Sequence, residues 1–492
     1  MKQLSMALLL LSGSIGLMFQ REEPAGGHAG SRLGTSAVDI RERGAAGNGS
    51  TDDTAPIAAA FGDVCASGGG TIYIPSGTYI IDPGAASIPL CSNLVVQGPG
   101  TFKVKPGTGD YRSIFAAAPP GAAVDNLTFS GVTVDQNASA NTTATIKVAD
   151  AGTHQNIWQV YAGTNLHFEK MHLYVSGVNP INVNGATISG VYIERNFIVF
   201  RKRSGQPPFD NSSIYIDGDN FHVTDNTFVS TLADSAVTAI EIHSGSGSVA
   251  GNTIDSYEIG MNLVDLHGAS ATGNNVRGAG YGISLWSTKT MDSVTIAENT
   301  ASIVQVTRKI PVSWGIATAF INGTNGAFSN LRISGNVVTF EPESSPREIA
   351  GHANYGVGLQ ALGNISNALV LGNQIVRAPV RGITVGVADA KYTTARVSVR
   401  DNQIVDAGSN FSHGASSYSA AIAVQGNLSS IEVARNRLDF LSIPFIGRYS
   451  YWSSETGFTF SDVVVADNYS TAATGSPANG LTPSVKQAYP RQ

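Results

Sequence analysis

The stretch Phe221-His-Val-Thr-Asp-Asn226-Thr-Phe-Val, followed by Gly247-Ser-Val-Ala-Gly-Asn252-Thr-Ile, decides the fold of this chain. Both copies place a short β-prone segment, an Asn and a second short apolar segment in the same order. The same unit recurs around further Asn residues, at Asn196, Asn274, Asn299, Asn336, Asn373, Asn402, Asn436 and Asn468. A repeat of this kind, rather than any single motif, indicates the architecture.

The spacing between successive Asn residues is typical of a solenoid. It ranges from 22 residues (Asn252 to Asn274) to 37 residues (Asn299 to Asn336), within the roughly 20–50 residues of solenoid repeats. Because no amphipathic helical pattern separates the copies, leucine-rich and helical repeats are excluded. We predict an all-β fold, a right-handed parallel β-helix with three strands per coil and three sheets.

The Asn at a fixed place in each coil has two expected roles. Asn tolerates the left-handed backbone conformation better than most residues do, so it suits a corner between strands. Stacked Asn side chains can also hydrogen-bond from one coil to the next, as they do in other stacked-strand arrays.

Both ends of the chain differ from the repeat. Residues 1–34 contain Lys2 and an apolar run from Met6 to Phe19, which predicts a secretory signal and linker; the run is too short and interrupted for a convincing membrane span. We therefore expect a secreted or periplasmic protein. The β-helix domain is expected over 35–471, with a capping helix near 52–64. The polar segment 472–492 predicts a flexible tail.

Composition limits the classes of partner and cofactor. The chain has a net charge of −6 and only 13% charged residues, and the absence of a basic stripe argues against nucleic-acid binding. No acidic cluster clearly indicates Ca²⁺, so we expect no cofactor and no metal site. Cys65 and Cys91 fit either one disulfide or two buried free thiols. The sequence does not indicate an oligomeric state.

Two N-terminal stretches resemble a known family. They are Ala37-Val-Asp-Ile-Arg-Glu-Arg-Gly-Ala-Ala-Gly-Asn-Gly-Ser-Thr-Asp-Asp-Thr-Ala55 and Gly68-Gly-Gly-Thr-Ile-Tyr-Ile-Pro-Ser-Gly-Thr-Tyr79. Both are similar to the N-terminal segment of the rhamnogalacturonase/epimerase-like pectate lyase superfamily. The resemblance implies a right-handed parallel β-helix with an N-terminal capping helix. It also implies a carbohydrate-active protein: a lyase, hydrolase, uronan epimerase or phage tailspike. The sequence lacks the Asp-Pro-His-Glu motif of alginate epimerases and the polygalacturonase motif set, so the resemblance does not select one reaction.

A short strand precedes each Asn unit, and alternation turns its second and fourth residues outward. Five such strands are Ile181-Asn-Val-Asn184, Ile214-Tyr-Ile-Asp217, Ile240-Glu-Ile-His243, Met261-Asn-Leu-Val264 and Ile283-Ser-Leu-Trp286. Since neighbouring strands stack about 4.8 Å apart, this register puts Asp217 beside His243 and Tyr215 beside Glu241. We predict that these four residues form a catalytic cluster.

Nearby residues are candidate ligands of a polysaccharide or oligosaccharide. Arg201, Lys202 and Arg203 suit a carboxylated sugar, and Trp286 can stack on a pyranose ring. Asn184 and Asn262 add hydrogen-bonding groups to the same face.

Three functions fit this pattern. The preferred one is β-elimination on an acidic polysaccharide, with His243 or Lys202 as base and Tyr215 as proton donor. The second is glycoside hydrolysis by Asp217 and Glu241. The third is a non-catalytic glycan-binding or surface-structural β-helix, because exposed Asp–His and Glu–Tyr pairs also occur for stability alone.

Overall fold

The computed structural model is a parallel β-helix built from three sheets. It describes residues 37–84, 86–142, 145–231, 234, 236–304, 313–320, 326–341, 357–407, 420–441, 449–454, 457–472, 478–480 and 485–488. Each coil supplies a first, a second and a third strand, and every strand pairs in parallel with its counterpart one coil away. The predicted fold class is confirmed.

The first and second sheets share two long strands that run through the corner between them, Ile181–Glu194 and Ser212–Thr224. The other strands of the first sheet are Ile88–Leu90, Ser113–Ala117, Asn156–Val160, Thr238–His243, Ile259–Val264, Tyr281–Ser287, Trp314–Phe320, Val357–Ala361, Arg381–Val385, Ala420–Gln425, Tyr449–Ser454 and Ala478–Gly480. The other strands of the second sheet are Val38–Asp39, Gly70–Tyr73, Leu94–Gln97, Leu127–Ser130, Gly163–Glu169, Gly247–Ala250, Ala269–Thr272, Thr290–Asp292, Thr295–Ala297, Ala327–Ser334, Asn364–Leu371, Thr393–Arg400, Asn427–Ala434, Phe460–Ala466 and Lys486–Ala488.

The third sheet is separate and has 15 strands. They are Asn48–Asp52, Thr78–Ile81, Thr101–Val104, Thr133–Asp135, His172–Val175, Phe197–Phe200, Thr227–Val229, Thr253–Asp255, Asn275–Ala279, Thr300–Ile303, Val337–Phe340, Gln374–Val376, Gln403–Val405, Arg437–Phe440 and Tyr469–Ala472.

The repeated Asn residues form a buried ladder at the corner between the second and third sheets. Each Nδ2 donates to the Oδ1 of the next Asn along the axis, at 2.9 Å from Asn196 to Asn226 and 3.0 Å from Asn226 to Asn252. The same Oδ1 also accepts a backbone N–H, as Asn274 Oδ1 does from Asn252 at 3.0 Å. The expected coil-to-coil hydrogen bonding is therefore present.

The left-handed backbone conformation falls on the residue before each ladder Asn. Examples are Arg195 (φ 54°), Asp225 (φ 55°) and Glu298 (φ 58°). The expectation that the ladder Asn itself adopts this conformation is wrong. The preceding residue makes the corner, and this turns the Asn side chain inward, where it satisfies buried backbone groups.

Inward-facing side chains fill the coils as one continuous core. In the N-terminal coils this core is aromatic, with the Phe115 ring stacked 5.9 Å from Trp158 and Phe129 lying 5.1 Å from Trp158. Such stacking between coils fixes the register of the first and second sheets.

The capping helix is Thr54–Ala66, with short 3-10 helices at Ile40–Arg43 and Ala151–Thr153. The capping helix buries Ile57, Ala60, Phe61 and Val64, and the Phe61 ring lies 5.8 Å from that of Phe115. The predicted helix therefore covers the apolar end of the solenoid. A disulfide joins Cys65 at its C-terminal end to Cys91, which settles the two alternatives for the cysteines.

At the C-terminal end, the expectation of a loose tail is wrong for the part that the structure describes. Ala478–Gly480 and Lys486–Ala488 pair in parallel with strands of the last full coil, so the ladder extends into this segment. The predicted signal and linker, residues 1–34, lie outside the described residues. Within the described ranges, none of the helices has the length and apolarity needed to cross a bilayer.

Candidate functional site

The outward residues of the first sheet form two parallel columns. We call them the Glu241 column, which contains Gln159, Asn182, Tyr215, Glu241, Asn262 and Ser284, and the His243 column, which contains Asn184, Asp217, His243, Val264 and Trp286. Tyr215 pairs with Glu241 and Asp217 with His243, as the sequence predicts. The two columns thus bring the four predicted catalytic residues onto one face.

Glu241 lies at the centre of a hydrogen-bond network. Its Oε1 is 2.8 Å from His243 Nε2 and accepts from Asn262 Nδ2 at 3.2 Å, and its Oε2 accepts from the Ser212 hydroxyl. Partial burial raises the pKa of this carboxyl, but the hydrogen bonds from His243 and Ser212 and the charge of His243 outweigh the burial and lower the pKa overall. Glu241 is therefore ionised at neutral pH.

Tyr215 is a neutral hydrogen-bonding group at this site. Its ring centroid lies 5.0 Å from that of His243. Burial, and then the charges of Glu241 and Asp217, raise the pKa of the phenol to about 12. The phenol consequently keeps its proton at neutral pH and can donate a hydrogen bond.

Asp217 lies one strand from His243 and accepts a hydrogen bond from the Ser244 hydroxyl. It shares the face with Glu241, but among the described residues no hydrogen bond joins these two side chains. Asp217 therefore lies beside the hydrogen-bond network of Glu241 and is not part of it.

Asp210 is a site residue that sequence reasoning missed. It lies two residues before Ser212, at the end of the loop that enters the first sheet, and it is exposed to solvent. Loss of water around the carboxyl raises its pKa, and the negative charge of Glu241 raises it further. The only signal in the sequence is a carboxylate two residues before a first-sheet strand. Asp210 lies in a loop, so the period of the repeat does not predict which way its side chain points.

The structure does not place the loop cations Arg201, Lys202 and Arg203 next to Asp217 and Glu241, as the sequence predicted. Arg203 is 1% exposed and turns inward, with Nη2 3.5 Å from Ser176 Oγ, and burial lowers the pKa of its guanidinium. Arg201 pairs with Asp234 at 3.4 Å. Because the loop leaves the third sheet, Arg201 and Lys202 lie on the rim of that sheet, in a pocket that also contains Lys103.

Two tryptophans lie at the C-terminal end of the columns. Trp286 occupies the His243 column, two strands beyond His243, and is partly exposed, as sugar stacking requires. Trp314 donates from Nε1 to Ser284 Oγ at 3.1 Å and stacks on Tyr281 at 4.1 Å. A second aromatic side chain therefore adjoins the Glu241 column. Asn184 faces outward beside Asp217.

A pocket of about 310 Å³ adjoins the N-terminal end of the Glu241 column. Gln159 of that column lines it, together with Arg112 and Tyr161. Arg112 Nη2 donates to the Tyr161 hydroxyl at 2.8 Å and lies over the Tyr161 ring. The face is therefore elongated along the solenoid axis and ends in aromatic groups on both sides.

Metal ligation is not indicated at this face. Across the described ranges, no three His, Cys, Asp or Glu side chains converge as metal ligands do. The chemistry that the face offers is carboxyl, imidazole and phenol chemistry.

The fold and this face define the class of protein: a parallel β-helix with an elongated row of polar and aromatic residues along its first sheet. Residues 37–262 match the family described as rhamnogalacturonase A/epimerase, pectate lyase-like. This match confirms the predicted resemblance to the rhamnogalacturonase/epimerase-like pectate lyase superfamily over residues 37–262.

Curated relatives match over short stretches. Mannuronan C5-epimerase AlgE3 of Azotobacter vinelandii is 33% identical over 112 residues, 20% of this chain and 6% of the epimerase. An exopolygalacturonase of Arabidopsis thaliana is 36% identical over 88 residues, 16% of this chain and 20% of that enzyme. The chain thus spans at most one fifth of the length of these two relatives.

A solved structure shares the fold over most of the chain. The tailspike protein of Escherichia coli bacteriophage HK620, in complex with a pentasaccharide, superposes with a TM-score of 0.60 at 14% identity, over 87% of this chain and 78% of the tailspike. At this identity the similarity concerns the fold alone.

Proposed function

We propose that this chain is a polysaccharide-cleaving protein, and that its first-sheet face hydrolyses glycosidic bonds. The observation that carries the proposal is the Glu241 carboxylate held by His243, Asn262 and Ser212, with Asp217 on the neighbouring strand. The directions of the pKa shifts agree with it: the pKa of Glu241 is lowered by its hydrogen bonds, and that of Asp210 is raised by loss of water and by the charge of Glu241. Glycoside hydrolysis needs one ionised and one protonated carboxyl flanking the bond.

Each residue of the cluster has a role in this proposal. Glu241 acts as nucleophile or general base, oriented by His243, Asn262 and Ser212. Asp210 acts as general acid on the leaving oxygen. Tyr215 donates a hydrogen bond to the sugar. Asp217, the predicted partner of Glu241, is the alternative acid.

Hydrolysis is favoured over β-elimination because of where the cations lie. Elimination from a uronate needs positive charge on the sugar carboxylate. Arg203 is buried, and Arg201 and Lys202 line a pocket of the third sheet rather than the face of Glu241. The two curated relatives, a mannuronan C5-epimerase and an exopolygalacturonase, keep acidic polysaccharides among the candidate substrates.

The disulfide supports an extracytoplasmic location. Disulfides persist in oxidising compartments and are rare in reducing ones. The Cys65–Cys91 bond therefore supports a secreted or periplasmic protein, which agrees with the expected leader.

The experiment is a polysaccharide panel with two readouts, new reducing ends and the absorbance of unsaturated uronates. We expect reducing ends without unsaturated product, and a loss of about 100-fold or more in Glu241→Gln. The control is Glu432→Gln, an exposed carboxylate of the second sheet that accepts from Ser398. Unsaturated product would replace hydrolysis with elimination. Binding without either product would favour the non-catalytic alternative.

A further inference from the structure

A second pocket lies on the third sheet, away from the two columns of the first sheet. Its volume is about 400 Å³. Lys103, Asp135 and Tyr174 line it from adjacent third-sheet strands, in direct register. Arg201 and Lys202 close it from the loop that follows the strand Phe197–Phe200.

The charge of this pocket is positive. Lys103, Arg201 and Lys202 are its three cations, against the carboxylate of Asp135 in its lining and that of Asp234, which reaches Arg201. Lys103 pairs with Asp135 at 3.3 Å and Arg201 reaches Asp234 at 3.4 Å. Within the described part of the chain, Lys202 makes no ion pair. The pocket therefore offers one uncommitted ammonium and one solvent-exposed guanidinium to an anion.

An aromatic ring lines this pocket beside Asp135. Tyr174 is 41% exposed, in a chain whose large apolar side chains are mostly buried. An exposed aromatic ring provides a platform for the apolar face of a sugar ring, and its hydroxyl remains available for hydrogen bonding. Ser139 adds a polar group to the rim.

We propose that this pocket is a second glycan-binding site, separate from the cleavage site, that takes a carboxylated sugar. The sugar ring stacks on Tyr174, and its carboxylate accepts from Lys202 and Arg201. The inference goes beyond the proposed hydrolysis. The sequence predicted that Arg201 and Lys202 bind an acidic sugar at the first sheet, whereas this proposal places that binding at the third sheet.

A sugar carboxylate fits these observations better than a nucleic acid does. A nucleic-acid surface needs a stripe of cations that tracks successive phosphates, whereas this pocket has three cations around one ring.

The test is native affinity electrophoresis of the full chain in gels containing polygalacturonate, with dextran as the neutral comparison. The Glu241→Gln background prevents cleavage during the run. We expect retardation by polygalacturonate alone, weaker at higher salt. Lys202→Gln and Tyr174→Ala should each raise the dissociation constant about tenfold, a change of about 1.4 kcal/mol.

The matched control is Lys170→Gln, which removes an exposed lysine that pairs with Glu169. It should leave the retardation unchanged. The proposal is overturned if Lys170→Gln and Lys202→Gln weaken binding equally, or if polygalacturonate does not retard the protein. Displacement of polygalacturonate by oligothymidylate at equal charge concentration would also overturn it, in favour of a phosphate site. Because this readout is binding, loss of cleavage in the panel does not affect it.

Discussion

At the scale of single residues, the surroundings of Asp210 and Glu241 divide the acid and base roles. Glu241 receives three hydrogen bonds that stabilise its charge, whereas Asp210 loses water and faces the charge of Glu241. The pKa of Asp210 is therefore shifted upward, toward the protonated form, and the pKa of Glu241 downward, toward the ionised form. This division is what acid–base catalysis between two carboxyls requires.

The first prediction concerns the dependence of kcat/KM on pH. Activity should fall at low pH as Glu241 is protonated, below its ordinary pKa of 4.5. It should fall again as the pH rises through the pKa of Asp210, which lies above its ordinary 3.8. Asp210→Asn should lower the rate by about 100-fold and abolish the high-pH limb. Tyr215→Phe should leave both limbs in place, because the pKa of that phenol is about 12.

A high-pH limb that persists in Asp210→Asn and vanishes in Asp217→Asn would reassign the acid to Asp217. The two variants are matched in chemistry and lie at the same face. The profile therefore separates the acid that the sequence predicted from the one that the structure adds.

Residues on strands could be predicted from the sequence, and those in loops could not. Tyr215, Glu241 and His243 share a face because alternation and the coil register place them there. Arg203 and Asp210 belong to a loop of about ten residues, whose path depends on packing rather than on period. The sequence therefore does not reveal that Arg203 turns inward or that Asp210 approaches Glu241.

At the scale of the structural element, the Asn ladder connects the coils through side chains. Asn274 is 1% exposed, donates to Val249 O and Asn299 Oδ1 at 2.9 Å, and accepts from the backbone and side chain of Asn252. Each rung thus satisfies a buried backbone N–H and a buried carbonyl at a corner where the strand ladders are interrupted. The ladder is detectable in the sequence because each rung needs a short side chain that both donates and accepts, and Asn recurs at this position from Asn196 to Asn468.

The second prediction concerns one rung of this ladder. Asn274→Ala should lower the free energy of unfolding by about 3 kcal/mol, since it leaves buried donors and acceptors unpaired. The next residue supplies the control: Asn275 is partly exposed and contacts Arg277 on its own strand, so Asn275→Ala should change stability by less than about 0.5 kcal/mol. Denaturant unfolding followed by circular dichroism measures both. Equal losses in the two variants would contradict a structural role for the ladder.

At the scale of the whole molecule, the stacking of coils brings residues that are distant in sequence into one straight column on the first sheet. From Gln159 to Glu241 the Glu241 column crosses three strand intervals, and from Glu241 to Ser284 it crosses two. At about 4.8 Å per interval, these stretches measure roughly 14 Å and 10 Å. Such a column suits a linear polymer, with the reacting groups near its middle and aromatic side chains near both ends.

The third prediction follows from this length. The KM for oligosaccharides should fall as the chain lengthens, until the ligand reaches the pocket of Arg112 and Tyr161. Arg112→Ala should then raise the KM of long substrates about tenfold, a loss of about 1.4 kcal/mol, while kcat stays the same because the bond being broken is about three coils away. Short oligosaccharides that end before Gln159 should show no change in KM.

Steady-state kinetics on a length series of one substrate measure these effects. The control is Arg195→Ala, which removes an exposed arginine that pairs with Glu169 and Glu194. An equal rise in KM at every length would mean that Arg112 acts through folding of the N-terminal coils rather than through contact with the polymer.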